Sequence, residues 1–410
     1  MWQSSERFEV WSSGVHRWCA AAWIAGALLA PPLEGAAYAV LAAVALVRCK
    51  AFVGMLSLHS RLRFVVVTYA AVLSWAFLST AWSPDGAEGK VYARIMIVPF
   101  FVIHAGLTLQ VMATILFWPG AIWSAVLVAA WLGVPVPSLI VPDHPSKAAL
   151  GLVMLGCVAF SGVVDRNAAR GWSQWCLKIP IWFAGAAVAS SRTGVVAVLS
   201  GSLLGFALTR RSIRHALRTI MPLAVGFVVI AGALGFTPVG KKALASLASL
   251  GDTSAVTRSI ADRLDSTLSF RLGLWDWTMT ACSHVFVGHG ALSWPHDFRA
   301  AMTEGKPRVT IVTSIHPQAG SLNHAHSILI QMMYEQGLIG VALLIGFVAA
   351  VGNLAWNRRD TASGTLLVVV ALAIAIMSLT EGALLTRSSA ATFTILIGLC
   401  SVDSTATKPG

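Results

Sequence analysis

What the 410-residue chain has little of narrows the field first. Only 11% of its residues are charged, against roughly a quarter in soluble domains, so a water-facing globular surface is excluded. Its six cysteines, Cys19, Cys49, Cys157, Cys176, Cys282 and Cys400, form no C-x-x-C, and five lie in or beside apolar runs. A disulfide framework and a thiolate metal site are therefore unsupported. There is no H-E-x-x-H spacing among the histidines, no G-x-S-x-G elbow, no internal repeat and no low-complexity tract, which removes the usual zinc-hydrolase and serine-hydrolase signatures. The net charge is +12, yet no Lys/Arg stripe interleaved with aromatics exists to track a nucleic acid.

What is abundant is apolar residue: 57% of the chain, with a mean hydropathy of +0.75. Apolar runs of spanning length recur, and none alternates with period two. Backbone polar groups find no water inside a bilayer, so the runs predict membrane-spanning helices. The fold class is an all-α polytopic membrane protein of about twelve spans.

The spans are expected at 18–31, 36–49, 62–81, 91–108, 111–133, 147–164, 178–191, 193–209, 219–236, 326–352, 364–380 and 388–402. The first run is short enough for a cleaved signal peptide, but the second run after Pro31-Pro32 favours a helical hairpin. A basic loop holding Arg48, Lys50, Arg61 and Arg63 follows. With the N-terminus inside, the short inner segments carry sixteen Lys/Arg and the short outer loops four. That asymmetry places both termini in the cytoplasm. The chain divides into a membrane domain over 1–236, one large outer loop over 237–324, and 325–410 with the last three spans and a cytoplasmic tail. The loop is long for a structureless connection. It carries amphipathic helical patterns at Val256–Leu264 and Phe270–Trp277, suited to a membrane surface or the flank of the bundle.

Ionisable groups converge at the outer face. His326 stands where the long loop re-enters the membrane, Arg192 at the tip of the hairpin Ser190-Ser191-Arg192-Thr193-Gly194, and Arg271 in the loop. A snorkelling side chain accounts for any one of them alone. Together, two guanidinium forks suit a lipid-linked diphosphate, and an imidazole, which titrates near working pH, suits removal of a proton from a hydroxyl. A metal reading is weaker. On a helix, His324 and His326 would point to opposite sides, and Asp85 with Glu88 reads as solvated loop charge.

His326-Ser327, nine residues and then Gly337-Leu338-Ile339-Gly340 resembles the His-[Asn/Ser/Gln]-x9-Gly-x-x-Gly signature of the O-antigen ligases, a superfamily shared with O-antigen polymerases and protein O-oligosaccharyltransferases. Ser191-Arg192-Thr193-Gly194 is similar to the family's Ser-Arg-x-Gly turn, and Leu78–Asp85 to its first outer loop. Arg271-Leu272-Gly273-Leu274-Trp275 approximates its Arg-x3-Leu, with Trp275 in place of leucine.

The resemblance implies a GT-C-like, metal-independent glycosyltransferase of the bacterial inner membrane, needing no cofactor, with its large loop in the periplasm. It would move an O-antigen glycan from undecaprenyl diphosphate to the lipid A core. His326 would be the base, Arg192 and Arg271 would hold the diphosphate, and Glu381 and Arg387 would support that site. Within the superfamily a polymerase or a protein transferase is the rival. Outside it a lipid-linked-glycan flippase would also line a path with arginines, though it should place charges deep in several spans or show repeated halves.

Overall fold

The computed structural model describes residues 2–29, 31–84, 96–135 (without 104 and 106), 151–158, 181–182, 185, 192–209, 271–305, 322–380 (without 323) and 387–402. All regular structure among them is helical. Spans expected at 219–236 and most of 147–164 and 178–191, the pattern at Val256–Leu264, and Glu381, Asp85, Glu88 and His316 lie outside these residues.

The chain opens with α1 (Trp2–Leu29) and α2 (Pro31–Val47), which pack on each other. Pro31 sits in the first turn of α2, where its missing N–H costs nothing. The expected basic loop is instead helical. α3 (Cys49–Leu58) follows a 69° bend, and Arg61 and Arg63 belong to α4 (Ser60–Leu78). No proline or glycine pair interrupts that stretch, so the helix resumes once Arg48 has turned the corner.

The span expected at 91–108 is reduced, among the described residues, to α5 (Val98–Val102). The physical reason lies downstream. Thr108 must be extended (φ −85°, ψ 160°) to accept the Val111 N–H and cap α6 (Leu109–Trp131), so the chain leaves its helix early. α7 (Arg192–Thr209) packs along α11 (Ala362–Thr380), with Gly201 against the Ala373 backbone. Contacts of this closeness between small residues are what bring helices together in lipid.

α10 (Ile328–Asn357) lies between α4 and α11. Its C-terminal neighbour Arg358 donates to the carbonyls of Cys400 (2.9 Å) and Val402 (2.8 Å), closing the end of α12 (Arg387–Ser401) with a cation. Among the described residues, four helices are long and apolar enough to cross a membrane, or five if the bent α2–α3 pair is one span. Two helices from the long loop, α8 (Arg271–Ala281) and α9 (Ser293–Thr303), pack on the start of α10. The second of these was not expected from the sequence.

Candidate functional site

α10 has 30 residues, about 45 Å of helix, against a hydrocarbon core of about 30 Å. The excess is dealt with at Gly337, which leaves the helix with φ 65° and ψ −167°, a region essentially reserved for glycine. A break of this kind frees backbone groups that must find partners. They find them in the loop. His289 N–H donates to Tyr334 O (2.9 Å), Gly290 N–H to Glu335 O (2.8 Å), and the Trp75 indole to Gln336 O (3.0 Å). In return Leu338 N–H reaches Val285 O (2.8 Å) and Ile339 N–H reaches Phe286 O (3.3 Å).

That pairing explains the glycines. A Cβ on Gly337 would sit 2.2 Å from Phe286 O, and one on Gly288 (φ +71°) 2.3 Å from Glu335 C. Gly340 clears room for Gln336 and Trp75. On the other side of the loop segment, Gly290 lies against the backbone of Ser83, whose hydroxyl donates to the Ala291 carbonyl. The described part of the Leu78–Asp85 stretch, which ends at Pro84, is thus locked to the same module at Ser83.

His326 is two residues ahead of α10, so the span expected from 326 starts later than its first residue. Ser327 is extended (φ −156°, ψ 122°) and its hydroxyl accepts the Ile330 N–H (3.5 Å), so the helix begins at Ile328. His326 itself has φ 54°, an uncommon conformation for a residue with a Cβ that costs of the order of 1–3 kcal/mol. Its N–H donates to His324 Nδ1 (3.2 Å), and the two rings lie edge to face 4.4 Å apart. The helical geometry that would have sent them to opposite sides is absent. Among the described residues no three His, Cys, Asp or Glu side chains group to hold a metal.

The residue before His326 is held from both sides. Ala325 N–H donates to Gln331 Oε1 (2.8 Å), and Ala325 O accepts from the Trp275 indole (2.9 Å). Trp275 stands one turn after Arg271 on α8, so both project from the same face of that helix. The residue that departs from the Arg-x3-Leu pattern is therefore the one that ties the Arg271 helix to the His326 segment. Arg271 is half-buried and opens α8, as Arg192 opens α7 and Arg387 opens α12. Arg192 is the first residue of α7, and Ser190 and Ser191 of the expected hairpin lie outside the described residues.

Behind Ala325, a buried polar chain continues. Gln331 Nε2 donates to Glu335 Oε1 (2.7 Å), and the Glu335 carboxylate also accepts the N–H groups of Leu292 and Trp294. These belong to the start of α9, whose N-cap, Leu292 at φ 62°, offers no side-chain acceptor. Gln331 and Glu335 are 0% and 1% exposed. Sequence reasoning missed both. The available signal was a pair of polar residues four apart in an otherwise apolar run, the spacing that places them on one helix face.

Nearby, His289 and His296 face Asp297, and the His284 ring lies 5.0 Å from that of His289. The His289 ring stacks on Tyr334 (4.4 Å), and Tyr334 Oη donates to Asp297 Oδ2 (2.7 Å). His296 Nδ1 is 3.1 Å from Asp297 Oδ1. Burial lowers the pKa of His289, outweighing the attraction of Asp297.

Residues 181–345 match the O-antigen ligase family model (Wzy_C). The match includes Arg192, Arg271, His326 and the Gly337–Gly340 stretch, and it supports membership of the O-antigen ligase superfamily, a family of ligase- and polymerase-type enzymes. Together with the apolar helices it identifies a membrane protein. No curated protein matches the chain.

Proposed function

We propose that the chain is an inverting, metal-independent glycosyltransferase of the inner membrane that moves an O-antigen glycan from undecaprenyl diphosphate to a sugar hydroxyl of the lipid A core. The observation that carries the reading is His326. Within the family-matched segment, a histidine is held at positive φ between a doubly bonded Ala325 and the N-cap Ser327. Strain of this kind persists only where neighbours over-determine it, and it concentrates at working sites.

The chemistry balances without a cofactor. The acceptor hydroxyl oxygen attacks the anomeric carbon as its proton passes to a His326 ring nitrogen. The bond from that carbon to the phosphate oxygen breaks, and undecaprenyl diphosphate leaves with the electron pair. Direct attack inverts the anomeric centre. Arg192 and Arg271, each at a helix start, hold the diphosphate and stabilise the charge that grows on it. Glu381 and Arg387 support the same site in this reading, on the periplasmic face, with both termini cytoplasmic.

A second reading within the family, polymerase, uses another lipid-linked glycan as acceptor. The test separates the two. Purified wild type and His326→Ala are assayed with lipid-linked O-antigen and rough lipopolysaccharide, with chelator present. Transfer by wild type that is lost in the variant, while the donor still binds, is the expected result. Transfer kept by the variant removes the base assignment. Chain growth from donor alone makes the protein a polymerase.

A further inference from the structure

We propose that Gln331 is a positioning residue for His326, set in the one amide orientation that serves it by Glu335. The proposal rests on the reading that His326 takes the acceptor proton.

The geometry runs from the imidazole inward. His326 has two backbone neighbours, and each is fixed differently. Ser327 is fixed by its own helix. Ala325 is fixed by two side chains from other turns, Trp275 on its carbonyl and Gln331 on its N–H. Trp275 holds the peptide plane that enters His326, whose own N–H is also taken by His324 Nδ1, and Gln331 holds the plane before it, so losing either loosens the turn that sets the His326 backbone. The chain can then relax the positive φ toward the commoner negative region.

An amide side chain can offer its oxygen or its nitrogen to a given neighbour, and both orientations fill the same space. At Gln331 the choice is decided. Glu335 Oε1 lies 2.7 Å from one end of the amide and the Ala325 N–H lies 2.8 Å from the other. A carboxylate accepts, so it takes the NH2 end and leaves Oε1 for Ala325. The carboxylate is itself fixed by the Leu292 and Trp294 N–H groups, so the orientation traces back to the start of α9. All of this is sealed from water, where a hydrogen bond is stronger and an unmade one costs more.

The expected consequence of losing Gln331 is misplacement rather than unfolding. Gln331→Met keeps the volume and removes both bonds. It should speed amide exchange in peptides covering 324–327. Turnover should fall about 10- to 100-fold, the scale expected of a sub-ångström to 1 Å displacement, with the donor KM changed less than about twofold.

The double variant Gln331→Glu with Glu335→Gln restores the bond between the two side chains and the bond to Ala325 with the roles reversed. The carboxylate introduced by the first substitution would accept from Ala325 and from the amide introduced by the second, and that amide's oxygen would accept from α9. Turnover and exchange protection should largely return, which no loss of active fraction would allow. Unchanged exchange in Gln331→Met overturns the proposal. So does fast exchange with full turnover while His326→Ala is inactive. If His326→Ala itself transfers glycan, the base reading fails instead, and the exchange data still report on Ala325. Should Gln331→Met not fold, the double variant decides: protected and active supports the proposal, unprotected or slow overturns it.

Discussion

The membrane bundle and the loop module solve the same problem, burying their polar groups, in opposite ways. The bundle core is mostly aliphatic, with Leu41, Leu62, Val65, Val369 and Ile395 among its buried residues. Its buried hydroxyls mostly return to their own helix. Ser79 donates to Ala76 O, Thr394 to Ala390 O and Ser401 to Gly398 O. The loop module is built on Trp277, Trp294, Phe298 and Tyr334, and its bonds leap across the chain. Trp294 Nε1 donates to Thr278 Oγ1 (2.9 Å) and Tyr334 Oη to Asp297 (2.7 Å).

The difference follows from the solvent. Lipid is as apolar as leucine, so bundle helices gain from fit rather than from hiding apolar area. A water-facing module gains from hiding large rings, and their polar handles then set geometry. The site residues with tertiary constraints belong to the second kind.

The contrast is broken most severely at Gly337. Gly337→Ala should cost about 3 kcal/mol or more, because it combines a glycine-only conformation with a clash at Phe286 O. Limited proteolysis should then cut the loop module while the bundle survives. Gly346→Ala, nine residues on in the same helix with nothing within 4 Å of its added Cβ, should be neutral or slightly stabilising. Equal damage from both would erase the contrast.

Of similar size, Trp277→Ala should cost about 3–5 kcal/mol. Val369→Ala in the bundle should cost about 1 kcal/mol or less, since lipid replaces core without a transfer penalty. Thermal unfolding in one detergent compares them. A smaller effect, of opposite sign, is expected at Gln336. Its amide is buried with no hydrogen-bond partner among the described residues, so Gln336→Met should stabilise by about 1 kcal/mol. Destabilisation there would mean that the amide has a partner in the working enzyme.

The smallest effect concerns pH. The folded pKa of His289 lies below the usual value, so at low pH the unfolded chain binds a proton that the folded chain resists. Stability is therefore whole above about pH 6.5, the unfolded value, and is lost as pH falls through and below it. The surrounding groups are His284, Asp297, Tyr334 and Ser283. Amide exchange over 283–297 should quicken on acidification in wild type and less so in His289→Phe, with bundle peptides unaffected.

Much of this was legible in the sequence, and the failures are instructive. Apolar runs located α4, α6, α11 and α12 to within a few residues, and the amphipathic pattern at Phe270–Trp277 located α8. The re-entry point at His326 was visible as the last polar residues before a long run. The break at Gly337 was not, because the helical period continues across it with no proline. Its positive φ is imposed by a loop segment some fifty residues earlier. The helix Ser293–Thr303 was hidden for a related reason. Its first-turn acceptor is supplied by Glu335, from a different element, so no local capping pattern marks its start. The clustering of His324 with His326 depends on a single backbone angle that residue types do not encode.

The segment Val285–Gly290 is fastened to the broken helix through peptide groups, and Phe286 within it remains 69% exposed. Main-chain attachment is indifferent to what the intervening side chains are. Substitution ahead of the glycines should therefore be tolerated widely, so that Val285, Phe286 and Val287 form a cassette open to exchange, while Gly288, Gly290 and Gly337 admit almost no alternatives. A saturation library across 285–290 and 337–340 would show this as alternating permissive and forbidden positions.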